Sequence, residues 1–167
     1  AEVSAELRKA LTKQGLKFHL SSKVTAVTKS ETGYTVNVSG PKGDTQIEAD
    51  VVLVGVGRKP MFDTLGLEAL GVVTERRGIV VNEQMRTNVP SIYAIGDVVA
   101  GGIALAHVAS HQGIVAVESI MGHNTRMDYR AVPSPIFTEP EMAWVGMTEK
   151  QARDAGYDVV TGKFPFR

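Results

Sequence analysis

The chain has 167 residues, of which 43% are hydrophobic and 22% are charged, a composition typical of a globular protein with a core of its own. Its 18 basic residues balance 18 acidic ones, and no apolar run approaches the ~20 residues that span a bilayer, so we expect neither nucleic acid nor a membrane as a partner. Cysteine is absent, which excludes a disulfide framework and a cysteine nucleophile within these residues and is consistent with a cytoplasmic location.

The first third of the chain predicts a helix and a hairpin. Apolar residues recur at one-turn spacing from Val3 to Leu11, and Gly15 provides a glycine end for this amphipathic helix. A short strand is expected at LKFHL. The alternating runs KVTAVT and GYTVNVS then predict an antiparallel hairpin, which is followed by a turn at GPKGD.

Two later segments predict strands that are buried on both faces. ADVVLVGVG (49–57) is apolar without alternation, as strands inside an α/β sheet are. The run IYAIGD ends at Asp97, and a glycine-bearing loop then leads to a helix predicted from Ile103 to Met121. The expected fold class is therefore α/β.

The end of the chain changes character. DYRAVPSPIFTEPEMAWVG predicts two strands around a TEP turn, and TEKQARDAG predicts a short helix. Thr148 and Gln151 have the spacing of a capping box at the start of this helix.

The ends of the two buried strands are candidate ligand sites, because open α/β sheets bind ligands beyond the carboxyl ends of their strands. Gly57 at the end of the first strand either lets a ligand approach the backbone or only lets the chain leave the sheet. Asp97 either accepts hydrogen bonds from the hydroxyls of a sugar or sugar alcohol, or stabilises a turn. Amides at the start of the following helix would offer partial positive charge to an electron-rich ligand atom.

Neither a metal site nor a catalytic residue is predicted. His107 and His111 are four residues apart, as zinc ligands can be, but no third ligand has a suitable spacing. Ser110 lies between them without an acidic partner or a nucleophile elbow, so a hydrolase is not indicated.

The segment TNVPSIYAIGDVVAGG carries the pattern T-x-x-P-x-I-Y-A-x-G-D, the second FAD-binding motif of flavoprotein reductases with two dinucleotide-binding domains. With DVVLVGVGRKP before it, and LAHVASHQG and PSPIFTEPEMAWVG after it, the chain resembles the dihydrolipoamide dehydrogenases of the pyridine nucleotide-disulfide oxidoreductase family. The matching blocks cover nearly all of the chain. Mercuric reductases, glutathione reductases and NADH oxidases are the alternatives within the same superfamily.

The resemblance implies a partial architecture in three parts. Residues 1–58 would be the C-terminal part of the NAD-binding domain, residues 59–130 the C-terminal part of the FAD-binding domain, and residues 131–167 the start of an α+β dimerisation domain. The chain would then be an interior piece of a cytoplasmic, homodimeric FAD- and NAD-dependent enzyme that serves the 2-oxoacid dehydrogenase complexes.

The resemblance also assigns site residues. Asp97, next to Gly96, would bind the ribityl chain of FAD, and a short run at the start of the helix would lie at the flavin ring: Ala104, Leu105, Ala106 and His107. Val24 and Gly57 would line the NAD site.

Several parts of the family pattern are absent from these residues: the cysteine pair, both G-x-G-x-x-G turns and the His-Pro sequence of the acid/base histidine. We therefore expect no catalytic residue here. The isolated chain should be a non-catalytic folded fragment that binds neither FAD nor NAD tightly, because half of each site is missing.

Overall fold

The computed structural model describes residues 2–164 and divides them into two compact units. The first comprises the described residues up to Arg58 together with Phe137–Met142. The second comprises Lys59–Ile136 and the described residues from Ala143 onward. The division into three parts that the family resemblance implies stays a prediction.

The first unit begins with the predicted amphipathic helix, α1 (Glu2–Lys13). The helix ends as its glycine signal indicates, because Gly15 adopts a φ of +99° and the Leu16 amide donates to Leu11 O at 3.1 Å. No residue of α1 is buried.

The predicted hairpin is confirmed and extended by a strand that we did not predict. Strands β1 (Lys23–Lys29), β2 (Tyr34–Gly40) and β3 (Gly43–Ala49) form an antiparallel sheet in the order β1-β2-β3. The register of the first pair shifts between Val24 and Ala26, which marks a bulge. The turn predicted at GPKGD connects β2 to β3.

The prediction of a buried strand at residues 49–57 is wrong. Strand β3 ends at Ala49, and the following residues form no strand: Leu53 is 93% exposed and Val56 is 91% exposed. A strand of this composition needs neighbouring strands and a covering layer on each face, and no described residue pairs with it. The expected strand at LKFHL does not form either.

The second unit contains a small hairpin, β4 (Thr74–Glu75) and β5 (Gly78–Ile79), and the helix α2 (Ala106–Ile120). At 15 residues, α2 is not long enough to cross a bilayer, and the same holds for every other helix between residues 2 and 164. Two clusters of buried side chains form the core of this unit: Met85, Val108, Val115, Ala116 and Met127 around α2, and Val72, Ile79, Ala94 and Val99 beside the hairpin.

The segment IYAIGD, predicted as a strand that is buried on both faces, is not a regular strand: Ala94 is buried, but Ile95 is 41% exposed. Tyr93 forms an isolated bridge with Arg86, and the Ala94 amide donates to Met85 O at 3.1 Å. The chain turns away at Gly96, before a longer ladder can form.

The two strands and the short helix predicted near the end of the chain are confirmed, whereas YDVVTGKFPFR, whose pattern also indicates the start of a strand, forms none within its described residues, 157–164. Strands β6 (Ser134–Ile136) and β7 (Met142–Trp144) pair around the TEP turn. Helix α3 (Glu149–Asp154) starts at the predicted capping box of Thr148 and Gln151.

Candidate functional site

Asp97 lies in the middle of a single 3₁₀ turn, Gly96–Val98, that ends the segment IYAIGD. Gly96 has a φ of +74°, a conformation that favours glycine, and the Val99 amide closes the turn by donating to Gly96 O at 3.0 Å. Asp97 is exposed. The residue therefore lies at the surface of the second unit.

The hairpin β4–β5 contacts the residues that directly follow this turn. Val99 forms a parallel bridge with Ile79, and the Ala100 amide donates to Ile79 O at 2.9 Å. Gly78 makes this close approach possible, because a Cβ at this position would lie 2.3 Å from Val98 O and 2.7 Å from the Ala100 nitrogen.

Gln112 of α2 contacts the start of the turn, at Gly96, and the sequence analysis did not identify it as a site residue. Its side chain is 1% exposed, its Oε1 accepts a hydrogen bond from the Gly96 amide at 2.6 Å, and its Nε2 donates to Tyr129 Oη at 2.8 Å. Helical spacing could have indicated that Gln112 is buried, because it lies on the same face of α2 as the buried residues Val108, Val115 and Ala116.

Helix α2 begins at Ala106, three residues later than predicted. Leu105 is extended, with φ −132° and ψ 138°, and its amide donates to Ile103 O at 2.9 Å, so the helix cannot include it. The side chain of Leu105 does not cap the helix. The first amides of α2, including those of Ala106 and His107, have no acceptor within the helix and can serve a ligand.

Of the two histidines of α2, His107 contacts the backbone of the segment that follows the helix. His107 Nε2 lies 2.9 Å from Pro133 O, and because a carbonyl oxygen only accepts, the ring donates this bond. Ser110 Oγ donates to Ala106 O at 3.1 Å. Within residues 2–164, no three side chains that could bind a metal ion come together.

A turn at residues 82–86 contributes to the packing of α2 through the buried side chain of Met85. Met85 is 1% exposed and has a φ of +63°, which is strained for a residue with a side chain. Asn82 Oδ1 stabilises the turn by accepting from the Gln84 amide at 2.9 Å and the Arg86 amide at 3.1 Å.

The segment after α2 is fixed to the same turn. Arg126 pairs with Glu83 at 2.8 Å, and the Met127 amide donates to Glu83 O at 2.7 Å. Beyond it, hydrogen bonds from the Arg130 side chain and its backbone amide lower the pKa of the exposed Asp128 carboxyl to about 2.

The two candidate NAD residues lie in the first unit. Val24 is 54% exposed at the bulge of β1. Gly57 has a φ of +105°, and a Cβ there would meet no heavy atom within 4 Å. Both positions are accessible to a ligand, and their role in binding NAD stays a prediction.

Comparison with known families matches two models that together cover most of the chain. Residues 1–113 match the model described as "Pyridine nucleotide-disulphide oxidoreductase". Residues 132–167 match the dimerisation domain of the same group.

Individual relatives agree with this match. Mitochondrial dihydrolipoyl dehydrogenases from dog and human are each 47% identical to the chain over 99% of its length. Among solved structures, LpdA from Mycobacterium tuberculosis matches 93% of the chain with a TM-score of 0.83 and 29% identity. The HOCl-induced flavoprotein disulfide reductase RclA from Escherichia coli matches 95% with a TM-score of 0.81 and 28% identity. The chain spans about a third of the length of these proteins: 33% of the dog, human and mycobacterial chains and 36% of RclA.

Proposed function

The chain belongs to the pyridine nucleotide-disulphide oxidoreductase family, and we propose that it is the part of a dihydrolipoamide:NAD+ oxidoreductase that contributes the ribityl contact of FAD. The observation that carries this proposal is the turn Gly96–Val98, which presents Asp97 at the surface beside the start of α2. The 47% sequence identity to two dihydrolipoyl dehydrogenases supports dihydrolipoamide as the substrate.

The chemistry of Asp97 suits the sugar-alcohol chain of FAD. A carboxylate has only acceptors, and the ribityl chain offers hydroxyl donors. Each such charge-assisted hydrogen bond is worth ~1.5–3 kcal/mol. The positive φ of Gly96 sets the direction of the chain into Asp97 without placing a side chain against the ligand.

The start of α2 suits the flavin ring. We place four residues there: Ala104, Leu105, Ala106 and His107. The amides of Ala106 and His107 are at the positive end of the helix dipole, so they favour negative charge on a nearby ring atom. When bound, FAD supplies the electron transfer between the thiol substrate and NAD+, and the helix start stabilises the charge of its reduced form. Val24 and Gly57 contribute to the NAD site of the same enzyme.

The remaining roles follow from the family. With no cysteine in the chain, the redox-active thiols would come from outside these residues. The match of residues 132–167 to a dimerisation domain supports a homodimer, and the enzyme would serve 2-oxoacid dehydrogenase complexes. The cytoplasmic location stays a prediction, since the mammalian relatives are named as mitochondrial.

Replacing Asp97 tests the flavin assignment. In the full-length flavoprotein that carries this segment, Asp97→Asn should weaken FAD binding ~10-fold or more, because the carboxylate charge that strengthens these bonds is lost. The measurement is titration of the apoprotein with FAD, followed by flavin fluorescence.

Asp63→Asn is the matched control, because it removes an exposed carboxylate of the same unit and should leave FAD affinity unchanged. A colourless wild-type protein without flavin affinity would disprove the function, and equal FAD affinity in both variants would disprove the role of Asp97.

The similarity to RclA, a flavoprotein disulfide reductase, supports an alternative to the proposed function, the reduction of a different disulfide substrate. Assaying the flavoprotein with dihydrolipoamide, glutathione disulfide and mercuric ion separates the candidates, and we expect turnover with dihydrolipoamide.

For the 167-residue chain alone, we expect no activity and no tight binding of either dinucleotide. Equilibrium dialysis with FAD and NAD+ checks this expectation, which sub-micromolar binding would contradict.

A further inference from the structure

We infer that Gln112 is a positioning residue for the flavin site, which acts by fixing the peptide that precedes Asp97. The inference rests on the proposed function for its effect on FAD, but its structural basis is independent of any ligand. Gln112 is 1% exposed and makes two hydrogen bonds of 2.6 and 2.8 Å to groups outside its own helix.

The chemistry of the Gly96 amide determines the orientation of the Gln112 side-chain amide. The Gly96 amide can only donate, so it requires the Oε1 atom, and this leaves Nε2 for Tyr129 Oη, which accepts. An inverted amide would place two N–H groups against each other. The Gly96 amide therefore fixes the orientation of the Gln112 side chain, and Tyr129 Oη holds its Nε2 end.

The bond to Gly96 matters because this residue is held in the left-handed region, at φ +74°. Glycine reaches this conformation without steric cost, but it leaves it as easily, so its own preferences do not fix the turn. The Gln112 bond supplies a constraint that the glycine lacks. Asp97 is the next residue, so the conformation of Gly96 determines the direction of the backbone at Asp97.

Amide hydrogen exchange of Gly96 in the full 167-residue chain tests the inference without a cofactor. Gln112→Met keeps a side chain of similar volume but removes the acceptor, and it should accelerate exchange at Gly96 by ~5- to 10-fold, the effect of losing one hydrogen bond. The amides of Val115 and Ala116, in the core of the same helix, should change less than ~2-fold.

Two further variants keep the test decisive. Gln112→Glu should restore slow exchange at Gly96, because Tyr129 Oη can reverse its role and donate to the carboxylate. Tyr129→Phe removes the other partner of Gln112 and should accelerate exchange at Gly96 less than Gln112→Met does. If Gln112→Met does not fold, acceleration in Tyr129→Phe at Gly96 but not at Val115 and Ala116 supports the inference, and no selective acceleration at Gly96 overturns it. Ser110→Ala, an exposed change on α2, is the control and should leave Gly96 unaffected.

Equal acceleration at Gly96, Val115 and Ala116 would show a general loss of stability and overturn the inference, as would unchanged exchange at Gly96. In the full-length flavoprotein, Gln112→Met should also raise the FAD dissociation constant. A wild type without FAD affinity refutes the proposed function and leaves the exchange result standing. FAD binding that Asp97→Asn weakens and Gln112→Met does not refutes only the positioning role.

Discussion

Gly78 lies where the backbone of residues 98–100 leaves no room for a side chain. A Cβ would approach Val98 O to 2.3 Å and the Val99 carbonyl carbon to 2.8 Å, and neither atom can move without disturbing the turn that carries Asp97. We expect Gly78→Ala to lower the free energy of unfolding by ~3 kcal/mol, as measured by urea denaturation.

Gly66→Ala is the control for this prediction. Gly66 also has a positive φ, of +65°, but its Cβ would meet nothing within 4 Å, so only the backbone strain of ~1–2 kcal/mol is expected. If both variants lost the same stability, the close packing at Gly78 would not be the cause.

Asp97 and Gln112 show what the sequence reveals at the scale of residues. Asp97 was a candidate because it ends an apolar run within a known motif, and both signals are local. Gln112 was missed because its partners, Gly96 and Tyr129, are 16 and 17 residues away along the chain. A glutamine in a helix suggests solvent contact unless its neighbours on the same stripe are known to be buried.

Helix α3 depends on its capping box. Thr148 Oγ1 accepts from the Gln151 amide at 3.3 Å, and the Thr148 amide donates to Gln151 Oε1 at 2.9 Å. Thr148→Ala removes the first bond and should destabilise this six-residue helix by ~1 kcal/mol. Faster amide exchange within residues 149–154 is the expected observation.

Lys150→Ala provides the comparison within α3. It removes an exposed ion pair with Asp154, which should contribute less than ~0.5 kcal/mol. A larger effect from Lys150→Ala than from Thr148→Ala would mean that surface charge, not capping, holds the helix.

At the scale of elements, predictions succeeded where the determinants are local. Gly15 ends α1, Thr148 starts α3, and the alternation of β1 and β2 determines their pairing. The prediction of a buried strand at 49–57 failed because such a strand is buried only between neighbouring strands and covering layers, which the described residues do not provide. Helix α2 starts later than predicted because the backbone of Leu105 is extended, and helical periodicity does not reveal this.

At the scale of the molecule, the apolar run after β3 is the largest departure from the expected fold. Val51, Leu53, Val54 and Val56 are all at least 75% exposed in the structure. A contiguous apolar segment of this kind promotes association between copies of the chain. The double substitution Leu53→Lys and Val56→Lys should therefore reduce self-association, as measured by sedimentation velocity, without lowering the free energy of unfolding.

Ser91→Lys adds charge at an exposed polar position and should leave association nearly unchanged. If it reduced association as much as the double substitution does, net charge rather than the apolar segment would be responsible.

The ion pair between Arg126 and Glu83 joins residues 43 positions apart, and it lies beside Met127, which completes the cluster around Met85 and α2. Closing a loop of this length costs entropy before any contact compensates for it. Completion of this cluster therefore requires a contact between residues that are far apart in the sequence, and such long-range contacts slow folding. During synthesis, the cluster around Met85 cannot be complete before Met127, which follows α2 in the chain, has left the ribosome.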